Sequence, residues 1–218
     1  MKYGTKIKKF DPLSLHSLNI DRQSISKILS DSRVLEIGCA TGFMGKYLKN
    51  KKNCMVVGVE LGIEEAKEAK KVLDDVILGD IESQETLKKI SKLGKFDVVF
   101  ASALIEHLKD PWKSLSEWKS FLKPDGVLII TTSNIAHWSQ RINFIQGKFE
   151  YQKYGILDNT HLRFFTTQTF RELVKDSGYQ IKDFYIDPVG GGYPKISLLG
   201  SKFLPNLFAY QMGIVATS

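Results

Sequence analysis

At 218 residues the chain is long enough for one α/β domain with a sizeable core, and its 43% apolar and 25% charged content excludes a disordered polymer. The net charge of +7 comes from lysines spread along the whole length without a zinc-finger or RNA-recognition motif, so a solvated surface and no nucleic-acid partner are expected. Cys39 and Cys54 fit neither a metal-ligand spacing nor a disulfide framework. No apolar run follows the N-terminal lysines and no uncharged apolar stretch reaches about 18 residues, so a cytoplasmic location without a spanning helix is expected.

Residues 1–10 read as a basic arm, and 11–30 carry apolar side chains at helical spacing, which predicts one or two amphipathic helices. Residues 34–37 read as a buried strand, apolar except for Glu36. Gly38-Cys39-Ala40-Thr41-Gly42 then turns into a helix over 43–50, the opening of a nucleotide-type βαβ unit whose glycines let a ligand approach the backbone. A dinucleotide fingerprint would need glycine at 38, 40 and 43, where Ala40 and Phe43 stand instead. A P-loop would need Ser or Thr after Gly45-Lys46, where Tyr47 stands. What remains is an acidic residue, one spacer and Gly-x-x-x-Gly, which suits a ligand with a positive charge and no phosphates.

A second strand over 54–60 ends on Glu60, 22 residues beyond Gly38, where a carboxylate can accept two hydrogen bonds from a ribose diol. A helix over 63–73, a strand over 75–78 ending in Gly79-Asp80-Ile81-Glu82, and a helix over 84–93 follow. A fourth strand over 96–101 leads through Ser102 to Asp110, and Pro111 starts a helix to 122. Lys123-Pro124-Asp125-Gly126 is expected to turn the chain into a fifth strand over 127–132. This alternation predicts a parallel sheet with right-handed crossovers and a ligand outside the strands' carboxyl ends, where Gly38, Glu60, Asp80, Ser102 and Asn134 fall. Residues 134–165, rich in aromatic and polar side chains, make a connection long enough for a substrate lid. A helix over 167–177, a sixth strand over 179–186, a flexible Gly190-Gly191-Gly192 turn and a seventh strand over 208–216 complete the chain. The apolar segment 196–207 is expected to cover the core, to make a homodimer contact or to lie on a membrane surface.

Glu36-Ile37-Gly38-Cys39-Ala40-Thr41-Gly42 resembles the first motif of class I S-adenosylmethionine methyltransferases, E/D-x-G-x-G-x-G, with Ala40 replacing the middle glycine. The run from Asp97-Val98-Val99 to Glu106-His107-Leu108-Lys109-Asp110-Pro111 closely resembles the corresponding run of the small-molecule branch. Thr160-His161-Leu162-Arg163-Phe164-Phe165 is similar to the equivalent region of ubiquinone-pathway O-methyltransferases and of bacterial methyltransferase-domain proteins. The resemblance spans roughly residues 30–216 and implies an α/β, Rossmann-like, doubly wound seven-stranded sheet, mostly parallel with an antiparallel last strand. It is expected as a single domain over 1–218, with an N-terminal arm and helices over 1–30 and the lid insertion over 134–165.

The same resemblance implies S-adenosylmethionine as cofactor and S-adenosylhomocysteine as product. Glu36, Gly38, Cys39, Ala40, Gly42 and Phe43 would hold it at the first turn. Glu60 and Leu61 would meet the ribose, Asp80 and Ile81 the adenine, and Ala101, Ser102 and Leu104 would close the wall after the fourth strand. His107 and His161 are the candidate bases, and with Asn134, His137, Arg141, Tyr154 and Arg163 the candidate acceptor-binding residues. A small-molecule oxygen, of a sugar, phenol or related metabolite, is the expected acceptor, with anionic and lipid-linked acceptors included. The Asn/Asp-Pro-Pro-aromatic run of base amino-methyltransferases is missing after the fourth strand. Ala103 stands where related E-x-x-E-H enzymes carry a metal-associated Glu, so no metal is expected. The alternatives are a non-catalytic cofactor-binding partner or sensor module and an NAD-linked oxidoreductase, the latter disfavoured by Ala40, Phe43 and Asp80.

Overall fold

Apolar runs bounded by turn residues become the strands of a seven-stranded sheet: β1 (Arg33–Ile37), β2 (Met55–Glu60), β3 (Asp75–Leu78), β4 (Phe96–Ala101), β5 (Leu122–Ser133), β6 (Gln180–Asp187) and β7 (Gln211–Thr217). The computed structural model describes residues 10–189 and 194–218, so the expected arm over 1–9 and the Gly190-Gly191-Gly192 turn lie outside the described residues. Strand order is β3-β2-β1-β4-β5-β7-β6. Pairing is parallel from β3 across to β5, and β7 runs antiparallel to both of its neighbours. The Rossmann-like architecture with one antiparallel last strand is the observed one.

Alternation within each strand sends side chains to two separate cores. Leu35, Ile37, Val57 and Val99 pack with Trp118 and Phe170 on one face, while Val34, Val56, Val98 and Phe100 pack with Met44 and Leu48 on the other. The first face is covered by α4 (Gln84–Ser91), α5 (Pro111–Trp118) and α7 (Thr167–Asp176), and the second by α1 (Ile20–Ser26), α2 (Phe43–Lys52) and α3 (Ile63–Ala69). Asn19, Ser83, Asp110 and Thr166 cap α1, α4, α5 and α7 with side-chain acceptors, satisfying N–H groups that have no partner inside a helix.

Several element ends differ from expectation. The helix expected over 63–73 stops at Ala69, because Leu73 folds back into the core and the Asp74 carboxylate accepts from Val56 N–H at 2.7 Å. The helix from Pro111 ends at Trp118 and continues as one 3₁₀ turn, Lys119–Phe121. Lys123 to Gly126 is not a separate turn but a bulge inside β5, where pairing jumps from Phe96↔Leu122 to Val98↔Val127. The segment 134–165, expected as a lid, contains an unexpected helix, α6 (Trp138–Ile145), and the apolar segment before β7 forms α8 (Pro194–Ser201) and α9 (Pro205–Phe208). Residues 205–208 are therefore helical and β7 begins at Gln211. No described helix is long and apolar enough to cross a membrane.

Candidate active site

The carboxyl ends of β1, β2, β3 and β4 open onto a cavity of about 610 Å³. Its first wall is the turn after β1. Gly38 has φ +72°, and a Cβ there would stand 3.0 Å from Leu104 Cδ1, so a side chain would be strained by the backbone and would press on Leu104. Ala40 sits at φ +48°, a left-handed conformation that disfavours a side chain. The turn is held from β2: Gly38 and Cys39 donate N–H bonds to the Val59 carbonyl, and Ala40 donates one to Glu60 Oε2 at 2.8 Å. Glu60 Oε1 accepts from Gly62 N–H at 2.8 Å, so the carboxylate is fixed at both oxygens and each retains a lone pair.

Asp80 and Ile81 continue the wall after β3, with Asp80 Oδ1 accepting from Glu82 N–H. Glu82 bridges to the segment after β4, accepting from Lys109 and Asp110 N–H. Beyond β4, Ser102, Ala103, Leu104 and His107 close the opposite side. Ala103 is also left-handed, at φ +48°, and donates its N–H to Thr131 Oγ1 at 2.9 Å.

The lining is acidic in a chain whose net charge is +7: Asp21, Glu36, Glu60, Glu65, Asp80 and Glu82 against Lys109. Glu36 is 4% exposed, and its Oε2 has no hydrogen-bond partner. Burial pushes its pKa up to about 8; an N–H from Gly45 opposes this, and the Glu60 and Asp21 carboxylates add to it. Burial likewise raises Asp21 to about 6. An unpaired buried carboxylate beside others is stabilised by a cation, so the residues present fit a sulfonium ligand bearing an ammonium group.

Of the residues expected at the cofactor, Glu36, Gly38, Cys39, Ala40, Phe43, Glu60, Leu61, Asp80, Ile81, Ser102 and Leu104 line this one cavity. Gly42 and Ala101 lie off its wall. Gly42 is left-handed at the start of α2, where a Cβ would meet Val72, Leu73 and Ala69, and Ala101 is fully buried within β4.

His107 lines the cavity, and its Nδ1 lies 3.1 Å from the Thr160 carbonyl, so Nδ1 carries the proton and Nε2 is the basic nitrogen. Burial lowers its pKa, partly opposed by the Thr160 bond. His161 is off the cavity wall, in edge contact with His107 at 4.7 Å between ring centroids, with Nδ1 against the Ile156 carbonyl at 3.0 Å. Burial also lowers its pKa.

The remaining acceptor candidates lie outside the wall. Asn134 is fully buried, donating to the Asn206 and Ala209 carbonyls and accepting from Ala136 N–H. His137 caps α6 through Nδ1, and burial lowers its pKa to about 4. Arg141 and Arg163 donate to the carbonyls of Ala136 and Lys109, and Tyr154 is exposed beneath the Lys153 ammonium. Asn134→Ala is therefore expected to destabilise the fold by about 1–3 kcal/mol through unpaired buried carbonyls, read from the denaturant midpoint. Asp21, Thr160 and Gln211 line the cavity without having been expected there. Thr160 opens the run singled out for His161 and could have been found through it, whereas Asp21 has no strand-end or glycine signal beside it, and Gln211 fell inside the strand expected over 208–216.

Two buried glutamates give the ligand-free protein a defined pH response. Glu106, pushed up to about 7 by burial, and Glu36 both bind protons more tightly folded than unfolded. The stability they contribute is fully present below about pH 4.5 and is lost as pH rises through their folded values. Thermal scans of ligand-free protein are expected to give a lower Tm at pH 8.5 than at pH 6.5.

Comparison with known proteins gives a family model described as a methyltransferase domain, matched over residues 15–183. The ubiquinone biosynthesis O-methyltransferase of Histophilus somni (strain 2336) is 30% identical over 133 residues, covering 55% of this chain and 54% of that protein. (S)-coclaurine N-methyltransferase of Papaver somniferum is 34% identical over 116 residues, covering 48% of this chain and 30% of that protein. The chain thus spans about half the length of the ubiquinone relatives it matches first, and less of the second kind. Among solved structures, a SAM dependent methyltransferase from Archaeoglobus fulgidus superposes with TM-score 0.63 at 20% identity, covering 90% of each chain, a likeness of fold.

Proposed function

The chain belongs to the methyltransferase-domain family, and we propose on that premise that it moves the methyl group of S-adenosylmethionine to an oxygen of a small-molecule acceptor such as a phenol or a sugar hydroxyl. The observation that carries the reading is the gathering of Glu36, Glu60 and Asp80, from three adjacent strand ends, around one cavity with a glycine corner. Glu60 would offer its free lone pairs to the ribose diol, Asp80 would accept from the adenine amino group, and Ile81 would pack on the ring. When bound, the cofactor supplies a sulfonium carbon already activated toward displacement.

The chain's own contribution is alignment, which can be worth roughly 7–11 kcal/mol, and removal of a proton from the acceptor, about 10²–10⁴-fold. His107 takes that proton at Nε2, the nitrogen left basic once Nδ1–H is given to Thr160. His161 holds the His107 ring from behind and so acts through it. Residues 134–165 are the segment assigned to the acceptor side, reaching the cavity wall at Thr160, with Arg163 tying the segment to the stretch after β4. Calorimetric titration with S-adenosylhomocysteine, followed by transfer of labelled methyl from the donor to phenol and sugar panels, tests the reading. No heat from the folded protein removes the cofactor, and binding without transfer to any acceptor removes the enzyme.

A further inference from the structure

Asp21 is a cavity carboxylate with no part in the reading above. It sits in the first turn of α1, 81 residues before Ser102, yet a side-chain relay fixes it to the end of β4. Ala103 N–H donates to Thr131 Oγ1 at 2.9 Å, the Thr131 and Ser102 hydroxyls lie 3.0 Å apart, and the Ser102 hydroxyl donates to Asp21 Oδ1 at 3.3 Å. Helix α1 is itself pinned: Ile20 N–H donates to Asp187 Oδ2, the Ser24 and Tyr185 hydroxyls pair at 2.8 Å, and Gln23 reaches the Ile186 carbonyl. Asp21 is therefore placed from two sides and not left to float over the opening.

Apart from Glu65, half-buried on α3, the other acidic groups of the wall take backbone N–H bonds. Glu60 takes two backbone N–H bonds, Glu82 takes two, and Asp80 takes one. Asp21 takes a single hydroxyl from the end of β4, and Glu36, on the adjoining strand β1, lines the same cavity with Oε2 buried and unpaired. Two carboxylates short of donors, one on β1 and one tied to the end of the adjoining β4, with Asp80 two strands away after β3, call for a group with several N–H donors and a positive charge.

We infer that Asp21 is a cofactor-binding residue which, with Glu36, receives the α-ammonium group of the methyl donor's amino-acid end. The inference rests on the donor reading above and adds a subsite to it, supplied by the N-terminal helix. It makes α1 part of the binding site, and it predicts that ligands with and without the amino-acid tail respond differently to the same substitution.

The test compares S-adenosylhomocysteine with 5′-methylthioadenosine, which keeps the nucleoside and thioether but lacks the ammonium. Calorimetry on Asp21→Asn is expected to show S-adenosylhomocysteine weakened roughly 10–100-fold, with 5′-methylthioadenosine within about twofold of wild type. Ser102→Ala, which frees Asp21 without removing its charge, should show a smaller loss of the same selectivity and guards against misfolding of the first variant. Equal weakening of both ligands makes Asp21 a brace for α1 and overturns the inference. Unchanged affinity for both, with turnover lost, moves Asp21 to the acceptor and also overturns it. Absence of heat with either ligand from folded wild type removes the donor reading itself, and this subsite with it.

Discussion

Glu60→Ala is expected to weaken S-adenosylhomocysteine binding about 10²–10⁴-fold while leaving the chain folded. Two hydrogen bonds from a ribose diol to a carboxylate are each worth roughly 1.5–3 kcal/mol, and each 1.4 kcal/mol is a factor of ten. The carboxylate also holds Ala40 in its left-handed conformation through a 2.8 Å bond, so its loss loosens the turn that the ligand must approach. Glu60→Gln keeps one acceptor oxygen and should fall between the two. Titration calorimetry reads both variants, and affinity within about threefold of wild type for Glu60→Ala would sink the ribose assignment.

His107→Ala is expected to lower kcat about 10²–10⁴-fold with S-adenosylhomocysteine affinity changed by no more than about threefold. The pH profile follows from the burial of the ring. A base must be unprotonated, and the folded pKa lies below the ordinary 6.5, so the wild-type rate should be flat above neutrality and fall only on the acid side of 6.5. His107→Gln, which can donate to Thr160 but cannot take a proton, should not restore the rate. His161→Ala should lose less, because its ring touches His107 and Phe164 and stands off the cavity wall. A pH profile unchanged in His107→Gln would be incompatible with the base.

What could be read from the residues alone was whatever short-range physics dictates. Strand alternation, proline at the start of α5 and the glycines at 38 and 42 each act within a few residues, and they located the sheet and the end of it that binds. Glu60 and Asp80 were legible because a strand end has only one place to be in such a sheet. Asp21 was not, since its placement depends on a relay from β5 through β4 that joins residues far apart in the chain. Asn134 differs for the opposite reason: it stands at a strand's carboxyl end like the others, but its amide is spent on the Asn206 and Ala209 carbonyls and on Ala136 N–H. The bulge at Lys123 to Gly126 hid behind a composition that would equally suit a free turn, because pairing with β4 resumes only at Val127. Helix α6 was obscured by aromatic and β-branched side chains that dilute helical periodicity, and the His137 cap that starts it is an uncommon one.

The insertion after β5 leaves and re-enters the sheet at a single point, where Asn134 and Phe165 form a bridge and Ile135 N–H bonds to the Phe165 carbonyl. A detour clasped at its base adds little entropy penalty when it is lengthened or shortened, and the strand beneath need not shift to accommodate the change. Such a clasp lets the detour change in length at its far end without moving β5. Its return limb is not free to drift in the same way, because Thr160 meets His107 and the Leu162 and Arg163 N–H groups bond the Glu106 carbonyl, so variation would be confined to the outward half.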